Sequence, residues 1–234
     1  LVGSEMCIRD RPYFWGTLGI VYNDKFVKPG AIKTWNDLWS KKYRRQILLV
    51  DSARDAMGMA LVSLGYSMNT TSSIKLHLAQ TKLNSLGPNI KAIISDEMKM
   101  YLVQNEAAIG VTWSGEAYEM MEQNPHLHYV VPKQGSNLWF DNFVIPKTVQ
   151  NKKAALKFIN FMLEPKNAAQ NAEYVGYATP NTAAQKLLPK KVRDDRQFYP
   201  TQSTLKNLQV FRDLGPKKTQ EYNDLFLEFK MYAR

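Results

Sequence analysis

The run Gln46-Ile47-Leu48-Leu49-Val50 limits what this chain can fold into more than any other stretch. Its aliphatic residues follow one another without alternation, so no face is left for solvent, and it reads as a strand covered on both sides within a parallel sheet. Such a sheet needs helices packed on it, and the next residues supply one. Asp51 to Asp55 forms a polar turn, and Ala56 to Leu64 is an apolar helix stopped at Gly65. The order then recurs: Ala107 to Trp113 is a second buried strand, Ser114-Gly115 a turn, and Glu116 to Glu122 a helix. Two such units predict an α/β architecture. In open α/β sheets ligands lie beyond the carboxyl ends of the strands, which is where Asp55 and Trp113 stand.

A third stretch carries chemistry of its own. Ser136 to Pro146, SNLWFDNFVIP, reads as a strand rich in aromatic and β-branched residues and closed by proline. A side-chain period of two puts Trp139, Asp141, Phe143 and Ile145 on one face, with a carboxylate one step from an indole. That pairing suits an organic cation, the ammonium on the acid and the apolar chain on the ring. The alternative is an aspartate that only bonds backbone at the edge of the sheet. Asp55 is equally open, because Ser52-Ala53-Arg54-Asp55 also has the form of a helix capping box.

The remaining segments read as framework. Trp15 to Asn23 is a strand, and Thr34-Trp35-Asn36-Asp37 has capping-box form at a short helix whose tryptophans are packing residues. Ser72 to Leu86 is a helix ended by Gly87-Pro88. Lys152 to Leu163 is an amphipathic helix with Ala155, Phe158, Ile159, Met162 and Leu163 on its apolar side. Pro165 starts another that ends at Tyr174-Val175-Gly176-Tyr177, and Asn181 caps a short one. The last helix aligns Tyr222, Leu225, Phe226, Phe229 and Tyr232 for docking on a core.

With 234 residues, 44% of them hydrophobic, the chain can bury a substantial core. Its formal charge of +10 raises the question of nucleic acid. The basic clusters (Lys41-Lys42-Tyr43-Arg44-Arg45, Lys190-Lys191, Lys217-Lys218) are short and scattered in turns and at helix ends, with no aromatic-interleaved basic strand, which favours solvated surface facing an anionic envelope. No Ser/His/Asp or Cys/His set and no glycine-rich phosphate loop is present, so no residue is assigned a catalytic role. His126 and His128 share a face, yet no carboxylate at a familiar spacing completes a metal site, and neither metal nor cofactor is expected.

Several segments together resemble one family, the extracytoplasmic polyamine-binding (spermidine/putrescine) proteins of ABC transporters. They are PYFWGTLGIVYN, TWNDLW, LLVDSARDAMGMAL, LGYSMNTT, VTWSGEAY, LWFDNFVIP, INFMLEP and VGYATPNTAAQKLLP, in that order and followed by the tail helix. The resemblance implies a two-lobed periplasmic-binding-protein-like α/β fold of type II that clamps its ligand and presents it to a membrane permease. Carried over residue by residue, it implies that Asp55 and Asp141 hold ammonium groups, that Trp113 and Trp139 wall the methylene chain, and that Tyr177 lines the site. Asp55 stands where the best-known members have glutamate. Ser52 replaces a second acid and Phe211 a glutamine, with Gln209 close but out of register, so the part played by Ser52 and Phe211 is open. Loss of one charge-assisted bond, roughly 1.5–3 kcal/mol, would alter the choice among polyamines. The rival readings are a receptor of the same fold for another solute (an amine, a sugar or ferric ion) and, more remotely, a basic nucleic-acid-binding module.

The same resemblance sets the expected layout. Residues 1–11, LVGSEMCIRDR, show no period, no cap and no join to the strand beyond Pro12, and are expected to be a non-native leader, which would leave the genuine chain without cysteine. Residues 12–17 would cross between lobes, 18–139 form a nearly complete second lobe, 140–186 be a remnant of a mostly missing first lobe, and 187–234 return to the second. The location implied is periplasmic or extracellular, with membrane association only through the transporter or an N-terminal anchor, as in a cell-surface lipoprotein. The export signal would lie outside this sequence.

Overall fold

The structure, a computed structural model, describes residues 11–233. The expected leader, Cys7 included, lies outside the described residues except for Arg11, which opens the first strand. The described residues divide into two compact units, a larger one of 17–138 and 201–233 and a smaller one of 11–16 and 139–200.

The larger unit is built on strands β1 (Arg11–Asn23), β2 (Ile47–Val50), β3 (Ile90–Ile94), β4 (Ile109–Trp113) and β5 (Leu127–Val130), in the order β3-β2-β4-β1-β5. β2 runs parallel to both β3 and β4, and all four of its residues are buried, as the unbroken apolar run requires. β1 is antiparallel to β4 and β5, so the sheet is mixed. Helix α1 (Ala53–Ser63) follows β2 and α4 (Ser114–Gln123) follows β4, as predicted; α2 (Ser73–Leu86), also predicted, follows α1, and β3 and α3 (Met98–Val103) are additions to the sequence reading. Trp35 and Trp39 are packing residues: Trp35 is fully buried and its indole donates to Gly135 O, while that of Trp39 donates to Lys82 O. The C-terminal helix Gly215–Tyr232 seals this core with Tyr222, Leu225, Phe226 and Phe229. Tyr232, placed by period on the same stripe, is exposed because it lies in the last turn.

The smaller unit contains most of β6 (Leu138–Phe143), which pairs with β1, together with α5 (Lys152–Leu163) and α6 (Pro165–Val175). Its core gathers Phe14, Ala168, Ala169, Ala172, Ala184 and Leu188, with Tyr13, Trp139, Tyr177, Val192 and Tyr199 against it. Residues 187–200, expected with 18–139, therefore pack here instead. The anchors are Leu188, the contact of Tyr199 with Trp15 at 6.0 Å between rings, and the bond from Thr179 N to the Tyr199 hydroxyl. On α5 only Ile159 is fully buried. Phe158, read as apolar-side, is 58% exposed and touches Phe143 edge-on.

Among the described residues no helix is long and apolar enough to cross a membrane.

Candidate functional site

α1 begins where β2 ends, and its first turn carries Asp55 into the interior at 4% exposure. Two side-chain donors bond that carboxylate, Ser52 Oγ to Oδ2 at 2.8 Å and Asn137 Nδ2 to Oδ1 at 3.3 Å, and the Trp113 side chain stands close enough to stabilise its charge. The capping-box alternative is thus not what forms: the Ser52 hydroxyl is spent on the carboxylate rather than on the helix, and Ser52 N donates to Val50 O. Burial pushes the Asp55 carboxyl above its ordinary range, opposed by the bonds from Ser52 and Asn137, by Trp113 and by the neighbouring Arg54 charge. A carboxylate in this setting has its geometry settled in advance and is short of a countercharge.

Trp113 reaches Asp55 because it is the last residue of β4, which lies beside β2 and parallel to it, and it becomes the N-cap of α4. Asn137 is held by its backbone: its carbonyl accepts from Leu18 N, and it forms an isolated bridge with Gln209. Gly135, two residues earlier, has φ +102°, and a Cβ there would stand 2.1 Å from Asn207 O, so only glycine allows this approach to the 207–209 segment. This pairing also shortens the expected strand. Ser136 and Asn137 are engaged with Gln209, leaving Leu138–Phe143 as β6, and Ile145 falls outside it.

In the smaller unit Trp139 lies on β6 with its ring edge-on to Tyr177 at 5.5 Å, and Tyr177 is edge-on to Phe14 at 5.6 Å. Tyr177 is delivered by Gly176, whose φ of +79° ends α6 in the left-handed conformation. The Trp139 indole nitrogen is buried without a hydrogen-bond partner among the described residues. Asp141, next but one along β6, is exposed and has no hydrogen bond or ion pair among the described residues, which removes the sheet-edge bonding reading. Partial desolvation nevertheless raises its carboxyl above the usual range.

Phe211 packs on Arg54, the neighbour of Asp55 in the chain. Its ring stacks on the Arg54 guanidinium at 4.4 Å, with Tyr222 at 4.9 Å from the same group. Gln209 is committed elsewhere, its amide oxygen accepting from Ser67 Oγ and Met68 N. The residue missed in the sequence is Asn137. The signal was available, since Asn137 precedes Trp139 by two and a period of two puts both on one face. His126 and His128 have another occupation: they grip the two oxygens of Asp24, each at 2.8 Å. Among the described residues no group of three His, Cys, Asp or Glu side chains is placed to hold a metal.

A mixed α/β sheet with an acid and an indole at the carboxyl ends of its parallel strands is an arrangement that suits binding of a small solute. The sequence pattern described as "Bacterial extracellular solute-binding protein" matches residues 10–200, and the chain belongs to that family, whose members are receptors rather than enzymes. Within it, the similarity is to polyamine-binding proteins. The spermidine/putrescine-binding periplasmic protein of Escherichia coli K12 is 40% identical over 204 residues, covering 87% of this chain and 59% of that protein. The chain therefore spans about three-fifths of the length of the curated relatives it matches. The crystal structure of the spermidine/putrescine ABC transporter substrate-binding protein PotD from Streptococcus pneumoniae superposes with a TM-score of 0.88 at 55% identity, over 97% of this chain and 70% of that one. A putative spermidine/putrescine ABC transporter protein from Listeria monocytogenes gives 0.91 at 54%, over 96% and 69%. The fold is thus periplasmic-binding-protein-like.

Proposed function

We propose that this chain is the ligand-binding part of a receptor for linear polyamines, spermidine or putrescine, which it delivers to an ABC permease. The observation that carries this reading is Asp55, a carboxylate buried at 4% exposure, oriented by Ser52 and Asn137, and set beside the Trp113 ring. A buried acid whose own partners are neutral side-chain donors and the half-buried Arg54 on its flank calls for an external cation. The smaller unit adds Asp141, which has a carboxylate without a protein partner among the described residues, and the edge-on pair Trp139 and Tyr177. An acid beside aromatic surface, present in each unit taken by itself, complements a polyamine, whose ammonium groups are joined by methylene chains that lie on rings. The names of the relatives support the same substrate class. Ser52 acts by holding Asp55, and Phe211 acts by stacking on Arg54. The protein works outside the cytoplasm and meets the membrane through its transporter or an N-terminal anchor.

Titration calorimetry of the full-length protein with spermidine, putrescine, a quaternary amine, a neutral sugar and ferric citrate tests the assignment. Saturable heat with a polyamine and none with the others is the expected result. Binding of one of the others in preference to both polyamines overturns it. Stimulation of transporter ATPase in proteoliposomes by loaded receptor tests delivery.

A further inference from the structure

Asn137 is only 2% exposed, and its amide is used at one end only. Nδ2 donates to Asp55 Oδ1, while Oδ1 is buried without a hydrogen-bond partner among the described residues. The orientation of the amide follows from chemistry. An ionised carboxylate only accepts, so the NH₂ must face Asp55 and the oxygen must face away. Ser52 Oγ donates to the same carboxylate and holds it in its accepting role, and the Trp113 indole, which can only donate, stands close to it. The backbone leaves Asn137 little freedom to relax, because its carbonyl is bonded to Leu18 N, Leu138 N donates to Gln209 O, and Gln209 N donates to Ser136 O. A buried acceptor fixed in this way and left unpaired is costly unless something donates to it. The orphaned buried atom two residues along, the Trp139 indole nitrogen, is a donor and cannot serve a cation.

We propose that Asn137 Oδ1 is a direct ligand contact, accepting one N–H of the ammonium group that Asp55 neutralises, so that this subsite selects a protonated primary amine by its count of N–H groups. The inference rests on the polyamine reading and deepens it. Asp55, already accepting from Ser52 and Asn137, has lone-pair capacity left for a further donor. A primary ammonium carries three N–H groups and can satisfy Asp55 and Asn137 together, whereas a dimethylated ammonium carries one and satisfies only the carboxylate. Charge is equal in both, so discrimination comes from Asn137 alone.

The test is calorimetric titration of the full-length protein with putrescine and with N,N,N′,N′-tetramethylputrescine, dimethylated at both ends so that neither orientation offers a primary amine, in wild type and in Asn137→Leu, a substitution of similar volume without polar atoms. Wild type is expected to bind putrescine roughly tenfold or more tightly than the tetramethylated compound. Asn137→Leu is expected to lose that factor for putrescine and almost nothing for the tetramethylated compound. Equal losses for both ligands would mean that Asn137 merely positions Asp55, and no loss would mean that it does not contact the ligand; either overturns the proposal. If the leucine variant does not fold, as judged by circular dichroism, Asn137→Ala is measured in the same way and read by the same pattern. Wild-type protein that binds no polyamine overturns the functional reading itself, an outcome distinct from wild-type binding without selectivity.

Discussion

Replacement of Asp55 by asparagine separates binding from stability, and the structure indicates how far. In the liganded protein Asp55 would face a desolvated ammonium. Truncating one partner of a buried, hydrogen-bonded charge pair costs about 2–5 kcal/mol, or roughly 30- to 5,000-fold in affinity. The unliganded protein should behave differently. Burial raises the Asp55 carboxyl, so ionising it in the folded state costs more than in the unfolded chain. The introduced amide can still accept from Ser52 Oγ on one side, and on the other it can donate to Asn137 once that side chain turns over and presents its oxygen. Asp55→Asn should therefore leave unliganded stability within about 1 kcal/mol of wild type or raise it. The sign of the pH dependence is set by the same shift. Between the unfolded carboxyl value of about 3.9 and the raised folded value, the folded state holds the proton more tightly, so wild-type stability falls as pH rises through that window. The variant should lack this slope. Calorimetric unfolding from pH 3 upward, beside titration with spermidine, measures both. Parallel loss of stability and affinity would make Asp55 a structural ion and refute the reasoning, as would unchanged affinity.

Asp141→Asn should weaken spermidine binding about tenfold or more while moving the melting temperature little, because this exposed carboxylate has no protein partner to lose among the described residues. Ser52→Asp should favour the longer polyamine over the shorter in a competition assay. It should also lower unliganded stability, since Ser52 Oγ lies 2.8 Å from Asp55 Oδ2 and a second carboxylate there repels the first; an equal gain for spermidine and putrescine would count against the idea. The 234-residue chain by itself should associate as concentration rises, because Phe158, Phe161 and Val144 are 58, 55 and 66% exposed. Phe158→Ser combined with Phe161→Ser should shift it toward monomer on size-exclusion chromatography, and a wild-type chain monomeric at all concentrations would contradict this.

Periodicity and punctuation in the sequence determined the local elements and the α/β class. The unbroken apolar run at 47–50 read as a strand covered on both faces, Gly65 and Gly176 read as helix ends, and the order strand, turn, helix put Asp55 and Trp113 at carboxyl ends. The chemical types of the site were legible for the same reason, since an acid and an indole at such positions are visible one segment at a time. Tertiary structure decided which of these groups meet. Whether Ser52 and Asp55 form a cap or a side-chain pair depended on Asn137, 82 residues away along the chain, arriving to bond the same carboxylate. The Gln209 segment closes on residues 136–138 and so makes the strand start two residues later than its pattern suggests and fixes Asn137. Phe211 went to Arg54, and His126 and His128 to Asp24, through contacts that no local pattern encodes. Residues 187–200 joined the smaller unit because Leu188 and Tyr199 found apolar partners there. Backbone preference acts over a few residues and can be read from them. The pairing of buried polar groups is set by which distant segments the packed core brings within about 3 Å, and this only the fold decides.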